Sequence, residues 1–246
     1  MTDAPAEDRK PSFRSDVTVE LVKHSAADSD VLWAARVSTA GEQSLDELRK
    51  DPERSKGLIN YLMRDRHGSP FEHNSMTFFI SAPIFVFREF MRHRVGWSYN
   101  EESGRYRELE PVFYVPDASR KLVQEGRPGK YVFVEGTEEQ QRLVARTTQD
   151  AYLRAYEAYQ EMLAAGVARE VARSVLPVGL FSSMYATCNA RSLMHFLGLR
   201  TQHELAKVPS FPQREIEMVG ERMEQEWARL MPLTHAAFNA NGRVAP

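Results

Sequence analysis

The scarcest residue in this sequence is cysteine. The 246 residues contain a single one, Cys188, which excludes an internal disulfide and any metal site built from several thiolates. So little cysteine is typical of the reducing cytoplasm, where we expect the protein to work. Cys188 has no nucleophile signature around it, which favours a small packed residue over a reactive thiol.

Long apolar runs are also missing. No segment approaches the length of a membrane-spanning helix, so we expect no membrane partner. The polar N-terminus, MTDAPAEDRKPSFRSD, lacks the apolar core of a secretion signal, and we interpret residues 1–16 as a mobile tail. No repeat and no Gly/Ser linker divides the remainder, so residues 17–246 are expected to form one domain.

Two phosphate-binding sequences are absent as well. Neither GxGxxG nor the Walker lysine motif occurs, so a dinucleotide would have to be held in another way. The formal net charge is only -2, whereas a dedicated nucleic-acid binder is usually basic overall. Arginine is instead concentrated in one short window, at Arg88, Arg92, Arg94, Arg105 and Arg107. Local positive charge on a nearly neutral protein suits a small anion.

The hydrophobic pattern predicts an α+β fold, with a mostly antiparallel sheet and flanking helices. Strands are expected at 17–25, 73–82, 112–116 and 181–190, with a hairpin within 119–138. Helices are expected at 28–38, capped by Asp28 or Ser29, and at 52–67, 83–94, 137–166, 168–177, 190–200 and 212–232. The stretch 95–109 has no clean period and is interpreted as an ordered functional loop.

The strongest chemical signal runs from Arg92-His93-Arg94 to Ser103-Gly104-Arg105-Tyr106. Arginine presents a planar fork of donors that matches phosphate. Ser103 and Gly104 could turn backbone N–H groups inward as a phosphate nest. From the spacing alone, a solvated charged loop is an equally good interpretation.

A resemblance to the flavin-dependent thymidylate synthases is carried by RHRVGWSYNEESGRY (92–106). Members of that family have an RHR triplet followed by a serine at a fixed interval. Here eight residues separate Arg94 from Ser103, one more than in the usual form. Four further segments resemble family segments in the same order: HGSPFEH (67–73), APIFVFREFMRHR (82–94), AREVARSVLP (168–177) and NARSLMHFLGLR (189–200). Several motifs in order make the resemblance specific.

The resemblance implies an enzyme that methylates dUMP to dTMP without a catalytic cysteine. In the family, NADPH reduces FAD, methylenetetrahydrofolate gives its methylene group, and the reduced flavin supplies the hydride that completes the methyl group. The resemblance further implies the family's α+β fold and a homotetramer with active sites at subunit interfaces. FAD is therefore the expected cofactor, and no nucleic-acid partner is expected.

The resemblance also assigns site residues. Positions that contact FAD are matched by Ser69, Arg92, His93, Arg94, Glu101, Asn189, Ala190, Arg191 and His195. Positions that hold dUMP are matched by Glu89, Phe90, Met91, Arg92, Glu101, Glu102, Ser103, Gly104, Arg105, Arg173 and Arg200. Many relatives have Gln where Glu89 stands. A carboxylate repels phosphate, so we expect Glu89 to touch a sugar hydroxyl or to pair with Arg88 or Arg92.

Two residues are assigned to catalysis. The family counterpart of Arg200 lies beside the uracil ring and favours ionisation at N3; arginine stays protonated, so it acts by stabilising negative charge. His67 matches a histidine that handles the folate and its methylene group. Without the family, His67 is a polar residue at a helix C-terminus, His195 a structural helix residue and Arg173 a surface arginine. Asn189 is predicted to cap a helix whose free N–H groups favour an anion.

Two rival hypotheses remain at this stage. A metal-dependent hydrolase would gather His67, Glu72, His73 and His93, but their spacing matches no HExxH pattern and the arginines would repel a cation. An RNA-binding module would stack bases on Trp97, Tyr99 and Tyr106, which alternate with arginines. The nearly neutral overall charge argues against the second.

Overall fold

The computed structural model describes residues 9–40, 52–127 and 130–246. They cluster into two compact units that are interleaved in the sequence. The first unit comprises the residues up to Asp16, Ala82–Phe87 and Glu102–Ser182; the second comprises Val17–Ser81, Arg88–Glu101 and Ser183–Pro246. Helices and strands are mixed in both, which confirms the α+β class. The part of the predicted tail at residues 1–8 lies outside the described residues.

The described residues form eight strands and eight α-helices. The strands are β1 (Ser12–Arg14), β2 (Thr18–Ser25), β3 (Ser75–Pro83), β4 (Trp97–Glu101), β5 (Val112–Tyr114), β6 (Val123–Arg127), β7 (Lys130–Val134) and β8 (Phe181–Cys188). The helices are α1 (Asp28–Ala40), α2 (Pro52–Arg64), α3 (Ile84–Phe90), α4 (Glu138–Ala164), α5 (Arg169–Ala172), α6 (Ala190–Arg200), α7 (Arg214–Leu230) and α8 (Pro232–Ala240), with 3-10 turns at Ser69–Glu72 and Arg173–Val175. Within the described ranges, no helix has the length and apolar character needed to cross a membrane.

A four-stranded sheet in the order β2-β3-β8-β4 carries the second unit. Strand β2 pairs antiparallel with β3, and β4 pairs antiparallel with β8, as the prediction of a mostly antiparallel sheet required. Along β3, Met76, Phe78 and Ile80 are fully buried while the residues between them are partly exposed. This alternation is the period of a strand with one buried face, and it confirms the strand predicted at 73–82.

Strand β4 corrects the prediction of a loop at 95–109. Residues 97–101 pair with β8 over their whole length, from Trp97 opposite Cys188 to Glu101 opposite Met184. The rings of Trp97 and Tyr99 both pack edge-on against Phe90, with centroids 6.2 and 6.3 Å away. The stability of so short a strand comes from these tertiary contacts, which the local pattern does not contain.

Helix α6 provides one of the main frameworks for the predicted site. Its N-cap is Asn189, whose Oδ1 accepts a hydrogen bond from the Ser192 N–H at 2.9 Å, so the predicted cap is confirmed. Leu193, Phe196 and Leu197 are fully buried, and the helix packs against α7. Burial of this apolar face fixes the direction in which the polar residues of α6 point.

The first unit has its own core around β5 and α4. Phe113, Tyr156, Tyr159 and Leu180 form a buried cluster there together with Ala172. Helix α4 begins with a capping box between Thr137 and Gln140 and ends just before Gly166, which adopts a positive φ of 81°. Strands β6 and β7 pair as an antiparallel hairpin, as predicted for 119–138.

Three features differ from prediction: the N-terminal stretch, the C-terminal helices and the cap formed by Asp28. The stretch predicted as a tail contributes β1, which pairs in parallel with β5. The helix predicted at 212–232 is α7, and it is not the last one, because α8 follows it and was not predicted. Asp28 caps α8 and not its own helix, because its carboxylate accepts from the N–H groups of Leu233 and Thr234 and from the Thr234 hydroxyl.

Helix α3 is shorter than the predicted span 83–94. It ends at Phe90, and the following residues form a turn in which Arg92 and His93 donate their N–H groups to the carbonyl oxygens of Glu89 and Phe90. The RHR triplet therefore lies in a turn between α3 and β4.

Candidate active site

Arg200, the last residue of α6, is held by two residues of the second unit. Its Nη1 donates to Oε2 of Glu89 at 2.5 Å, and its Nε donates to Nε2 of His93 at 3.1 Å. The Arg200 side chain is 17% exposed and that of Glu89 25%, so the pair is partly desolvated and stronger than a surface ion pair. The prediction that Glu89 pairs with Arg88 or Arg92 was therefore wrong: its partner is Arg200.

His93 is the neutral member of this cluster. Its Nε2 accepts the hydrogen bond from Arg200, so the ring carries its proton on Nδ1. Burial, followed by the charges of Arg200 and His195, lowers the pKa of His93 to about 4. The ring also packs edge-on against Phe196, with centroids 4.9 Å apart. At neutral pH the cluster therefore combines one permanent cation, one carboxylate and one uncharged imidazole.

The turn that carries the RHR triplet is fixed by Tyr99. The Tyr99 hydroxyl lies 3.0 Å from the carbonyl oxygen of Phe90 and 2.8 Å from that of His93, and donates toward them. Burial, with a smaller contribution from Cys188, raises the pKa of Tyr99, so it remains a phenol donor. This hydroxyl ties the strand to the turn and sets the backbone at His93.

A second tie joins the turn to the start of α6. The Ser192 hydroxyl donates to the carbonyl oxygen of Val95 at 2.9 Å. The next residue, Gly96, has a positive φ of 70°, and a Cβ there would collide with Oγ of Ser192. Only glycine meets both conditions, so Gly96 is needed for the turn to lie against α6.

A pocket of about 340 Å³ opens between the RHR turn and α6. His93, Arg94, Trp97, Arg191, Ser192 and His195 are among the residues that line it. Burial, followed by the charge of Arg191, lowers the pKa of His195. The volume is in the range of ligand pockets, about 300–1,000 Å³. Its lining combines flat rings with guanidinium groups, which suits a heteroaromatic ring attached to an anion.

Arg92 and Arg94 are exposed and form no ion pair with a residue in 9–40, 52–127 or 130–246. Arg191, in contrast, donates from Nη1 to Oε1 of Glu72 at 2.5 Å and from Nε to the carbonyl oxygen of Pro246 at 2.7 Å. Gly68 lies against the same guanidinium. Of these three arginines, Arg92 and Arg94 are the ones whose donors are available for a phosphate.

Two of the N–H groups at the start of α6, where the sequence predicted free donors, are already used within the protein. The N–H of Ala190 donates to Oδ1 of Asn74 at 2.8 Å, and the N–H of Ser192 donates to the Asn189 side chain. Because these donors are used within the protein, Asn189 and Ala190 shape the helix start. Asn74 and Ser192 were not predicted as site residues, since neither side chain has a sequence motif that reveals its partner.

The remaining predicted residues of the second unit lie in different surroundings. Ser69, Glu101 and His67 are exposed, and the ring of His67 stacks on Tyr61 with centroids 5.6 Å apart. Phe90 is fully buried and stacks on Phe196 at 4.7 Å. Its side chain is therefore a packing element and not a substrate contact, whereas Met91, just beyond the helix, is exposed.

The other predicted dUMP residues belong to the first unit. The carbonyl oxygen of Ser103 accepts from the N–H groups of Tyr106 and Arg107, and its Oγ accepts from the N–H of Arg105. These three N–H groups are used within the turn. They are not the N–H groups of Ser103 and Gly104, so the phosphate nest at those two residues stays a prediction. Glu102 lies 4.0 Å from the Arg107 guanidinium.

Gly104 and Arg173 lie together in the first unit. A Cβ on the buried Gly104 would lie 3.4 Å from Cδ of Arg173, so the glycine leaves room for the arginine side chain. Arg105 pairs with Glu170 at 2.6 Å. Arg173 forms no ion pair with any part of the chain that the structure describes, which leaves its guanidinium available to an anion.

Neither rival site is assembled. Among the described residues, no three His, Cys, Asp or Glu side chains are grouped so that they could hold a metal ion, and Glu72 is engaged by Arg191. Trp97 and Tyr99 pack on Phe90, while Tyr106 is 76% exposed. Two of the three aromatic rings are therefore structural elements of the second unit.

Cys188 is a buried residue of β8. Burial raises the pKa of its thiol, which keeps it in the unreactive protonated form at neutral pH. The interpretation of Cys188 as a packed residue agrees with this position.

Comparisons with known proteins agree with this geometry. The model of the family described as "Thymidylate synthase complementing protein" matches residues 20–233. The flavin-dependent thymidylate synthase of Streptomyces avermitilis is 91% identical over the full length of both chains. That of Tropheryma whipplei strain TW08/27 is 59% identical over 96% of this chain and 98% of its own.

Two solved structures of PolB, a UMP/dUMP methylase from Streptomyces cacaoi, have the same fold. The complex with 5-Br dUMP superposes with a TM-score of 0.90 at 59% identity and covers 96% of this chain and 100% of its own. The complex with 5-Br UMP has a TM-score of 0.88 at 58% identity and covers 96% and 99%. With the family match, these relatives and the RHR turn in place, the chain belongs to the flavin-dependent thymidylate synthase family.

Proposed function

We propose that this chain methylates dUMP to dTMP, with methylenetetrahydrofolate as carbon donor, FAD as hydride carrier and NADPH as reductant. The proposal rests on one observation above all, the hydrogen bond of 3.1 Å between Arg200 and His93. His93 belongs to the segment expected at FAD, and Arg200 is the residue expected beside uracil. A single contact therefore joins the two proposed ligand sites.

The residues around the pocket fit a flavin nucleotide. The exposed guanidinium groups of Arg92 and Arg94 would bind its diphosphate, and the flat side chains of Trp97 and His195 would face its ring. Ser69, Glu101, Asn189, Ala190 and Arg191 complete the proposed FAD set. When bound, the flavin supplies the hydride that completes the methyl group.

Arg200 is proposed to act on the pyrimidine by charge. Its guanidinium stays protonated, so it stabilises negative charge that develops on the uracil ring and makes the ring a better nucleophile toward the one-carbon unit. Glu89 and His93 hold the guanidinium in place through contacts of 2.5 and 3.1 Å. Fixed donors of this kind need no reorganisation during the reaction.

The residues proposed for dUMP are assigned separately for each unit. In the second unit we assign Glu89, Met91 and Arg92 to it beside Arg200, with Phe90 supporting them by packing. In the first unit we assign Glu102, Ser103, Gly104, Arg105 and Arg173, of which Arg173 is the free cation best suited to the 5′-phosphate.

No cysteine takes part in the proposed reaction, which is supported by the burial of Cys188 in β8. His67 is proposed to face the folate, for which its exposed ring on Tyr61 is accessible. We further propose that the enzyme is a cytoplasmic homotetramer, and that residues 17–246 act together with β1 as one catalytic domain.

A second candidate substrate is UMP. It is favoured by the similarity of this chain to PolB, a UMP/dUMP methylase with a structure bound to 5-Br UMP. The two candidates are separated by assaying UMP and dUMP side by side under identical conditions.

The proposed function is tested first by visible absorption spectroscopy of the purified protein without oxygen. We expect a flavin spectrum that bleaches on addition of NADPH and dUMP, followed by formation of dTMP when methylenetetrahydrofolate is added. A colourless protein that takes up no added FAD would contradict the proposal.

A further inference from the structure

We propose that Arg243 is a positioning residue: with Glu224 it anchors Thr201, and through Thr201 it fixes the end of α6 from which Arg200 extends. The expected effect of Arg243 on turnover rests on the proposed function. The placement of Arg200 is independent of which reaction occurs.

The Arg243 side chain is only 1% exposed. Its Nη1 and Nη2 donate to the two carboxylate oxygens of Glu224 at 2.6 and 2.7 Å, and Nη1 also donates to Oδ1 of Asn239 at 2.7 Å. A buried ion pair contributes little net stability, because desolvation offsets the attraction. A bidentate pair does, however, fix the orientation of the guanidinium plane.

The oriented guanidinium of Arg243 donates a hydrogen bond to Thr201. Nη2 of Arg243 donates to Oγ1 of Thr201 at 3.1 Å. The N–H and hydroxyl of Thr201 both donate to the carbonyl oxygen of Leu197, at 3.0 and 2.8 Å, and its own carbonyl oxygen accepts from the Ser210 hydroxyl at 2.5 Å. Every polar atom of Thr201 is therefore engaged, and the backbone next to Arg200 is held from several sides.

Two glycines allow this close approach. A Cβ on Gly198 would lie 3.0 Å from the carbonyl oxygen of Arg243, and a Cβ on Gly220 would lie 2.7 Å from Cγ2 of Thr201. Arg243 itself has a positive φ of 54°, a conformation that is uncommon for a residue with a long side chain. The side chain is kept at this position although a glycine would adopt the backbone with less strain.

The ion pair between Arg243 and Glu224 keeps both of its charges at every working pH. Burial raises the pKa of Glu224, but the hydrogen bonds and charges of Arg243 and His235 outweigh it and lower the pKa to about 2. Asn239 and His235 are the other polar groups that face the pair. The carboxylate therefore remains ionised, and the orientation of Arg243 does not vary with pH near neutrality.

The Arg243–Glu224 pair acts on the C-terminal end of α6, so its role can be distinguished from a general contribution to packing. Asn189, Arg191 and His195, assigned to FAD, lie in the first half of α6, whereas Thr201 follows its last residue. A loosened C-terminal end displaces Arg200 and leaves the start of the helix, which Asn74 and Asn189 hold, unchanged. A general loss of packing would weaken both ends.

The test compares Thr201→Val, which removes the oxygen and keeps the shape, with Thr201→Ser, which keeps the oxygen. We expect kcat for dTMP formation to fall about ten- to hundredfold in Thr201→Val, with FAD affinity and melting temperature close to wild type. Thr201→Ser is expected to restore most of the activity. Arg243→Lys should behave like Thr201→Val, whereas Arg229→Lys, in a surface pair with Glu226, should have no effect.

A readout that needs no turnover is the 15N chemical shift of His93 Nε2, which reports its hydrogen bond with Arg200. A changed shift in Thr201→Val and a normal one in Thr201→Ser supports the inference even if wild type forms no dTMP, in which case only the proposed function fails. Unchanged kcat and unchanged shift in Thr201→Val would overturn the inference. So would equal losses in both variants, or a parallel fall of FAD affinity and kcat.

Discussion

Glu89 and Arg200 form a partly buried ion pair in which Oε2 of Glu89 lies 2.5 Å from Nη1 of Arg200. Glu89 is the penultimate residue of α3, and Arg200 is the last residue of α6. Because Arg92 and Arg94 make no ion pair with any described residue, Arg200 differs from them in having its direction set before a ligand binds. Glu89 is therefore an orienting group.

Replacing Glu89 tests this orientation. Hydrogen bonds to charged groups contribute about 1.5–3 kcal/mol, so we expect Glu89→Ala to lower kcat about ten- to a hundredfold. Glu89→Gln should cost less, because its amide oxygen still accepts from Arg200. Steady-state dTMP formation measures both, with Glu226→Gln as the surface control. Wild-type turnover in Glu89→Ala would remove the pair from the mechanism.

Arg200→Ala is expected to retain FAD and to lose most dTMP formation. Removing one preorganised charge donor typically costs about 10²–10³ in kcat, and the FAD residues of α6 lie at its other end. The flavin absorbance of the purified variant and its dTMP yield are measured on the same sample. Loss of the flavin together with activity would mean that Arg200 supports the cofactor site instead.

His93 makes stability depend on pH. Its pKa falls from 6.5 to about 4 on folding, so between these values the unfolded chain binds a proton that the folded chain does not. The free energy of unfolding therefore decreases as the pH falls from 6.5 toward about 4, and this group contributes no further change outside that window.

Urea unfolding of wild type and His93→Asn across that window measures the effect. The difference between the two midpoints should shrink as the pH falls through the window, which separates His93 from the carboxylates that both proteins share. Arg200→Ala removes one cause of the shift, so the pKa of His93 should rise. A constant difference between wild type and His93→Asn would show that His93 is not buried as described.

Cys188→Ala is expected to keep substantial dTMP synthesis. The thiol is buried, so its loss should lower the unfolding free energy by about 1 kcal/mol without affecting the reaction. Activity and thermal unfolding are measured together, and a thiol reagent should label native wild type slowly. Complete loss of chemistry in a folded variant that still binds FAD would contradict a cysteine-free mechanism.

Gly96→Ala is expected to damage the pocket wall. The positive φ and the collision with Ser192 should together cost about 2 kcal/mol or more and weaken FAD binding. Gly57→Ala is the matched control: nothing lies within 4 Å of its Cβ, and within α2 alanine should stabilise by about 0.5–1 kcal/mol. Equal melting temperatures for the two variants would contradict the role given to Gly96.

Much of the fold could be predicted from local pattern. The strand at 73–82, the hairpin within 119–138 and the Asn189 cap depend on periodicity and capping chemistry, which the sequence itself contains. Strand β4 could not be predicted in this way, because its pairing depends on β8, which lies more than 80 residues later. The capping of α8 by Asp28 likewise joins distant parts of the chain.

The candidate site, too, could be predicted only in part. A family resemblance could place Arg200 and His93 in a site, since it transfers positions. It could not give their partners: Glu89 binds Arg200, Tyr99 binds the backbone of His93, and Ser192 binds that of Val95. Hydroxyl and carboxylate groups bind whatever the fold brings near them, and only the tertiary structure contains that information.

The contact between Arg200 and His93 also limits how the two ligands can be bound. If the nucleotide binds Arg200 and the flavin binds His93, each ligand acts on one end of the same hydrogen bond. Their binding free energies are then linked, and thermodynamics requires the linkage to be reciprocal. The factor by which dUMP changes the FAD dissociation constant must equal the factor by which FAD changes that of dUMP.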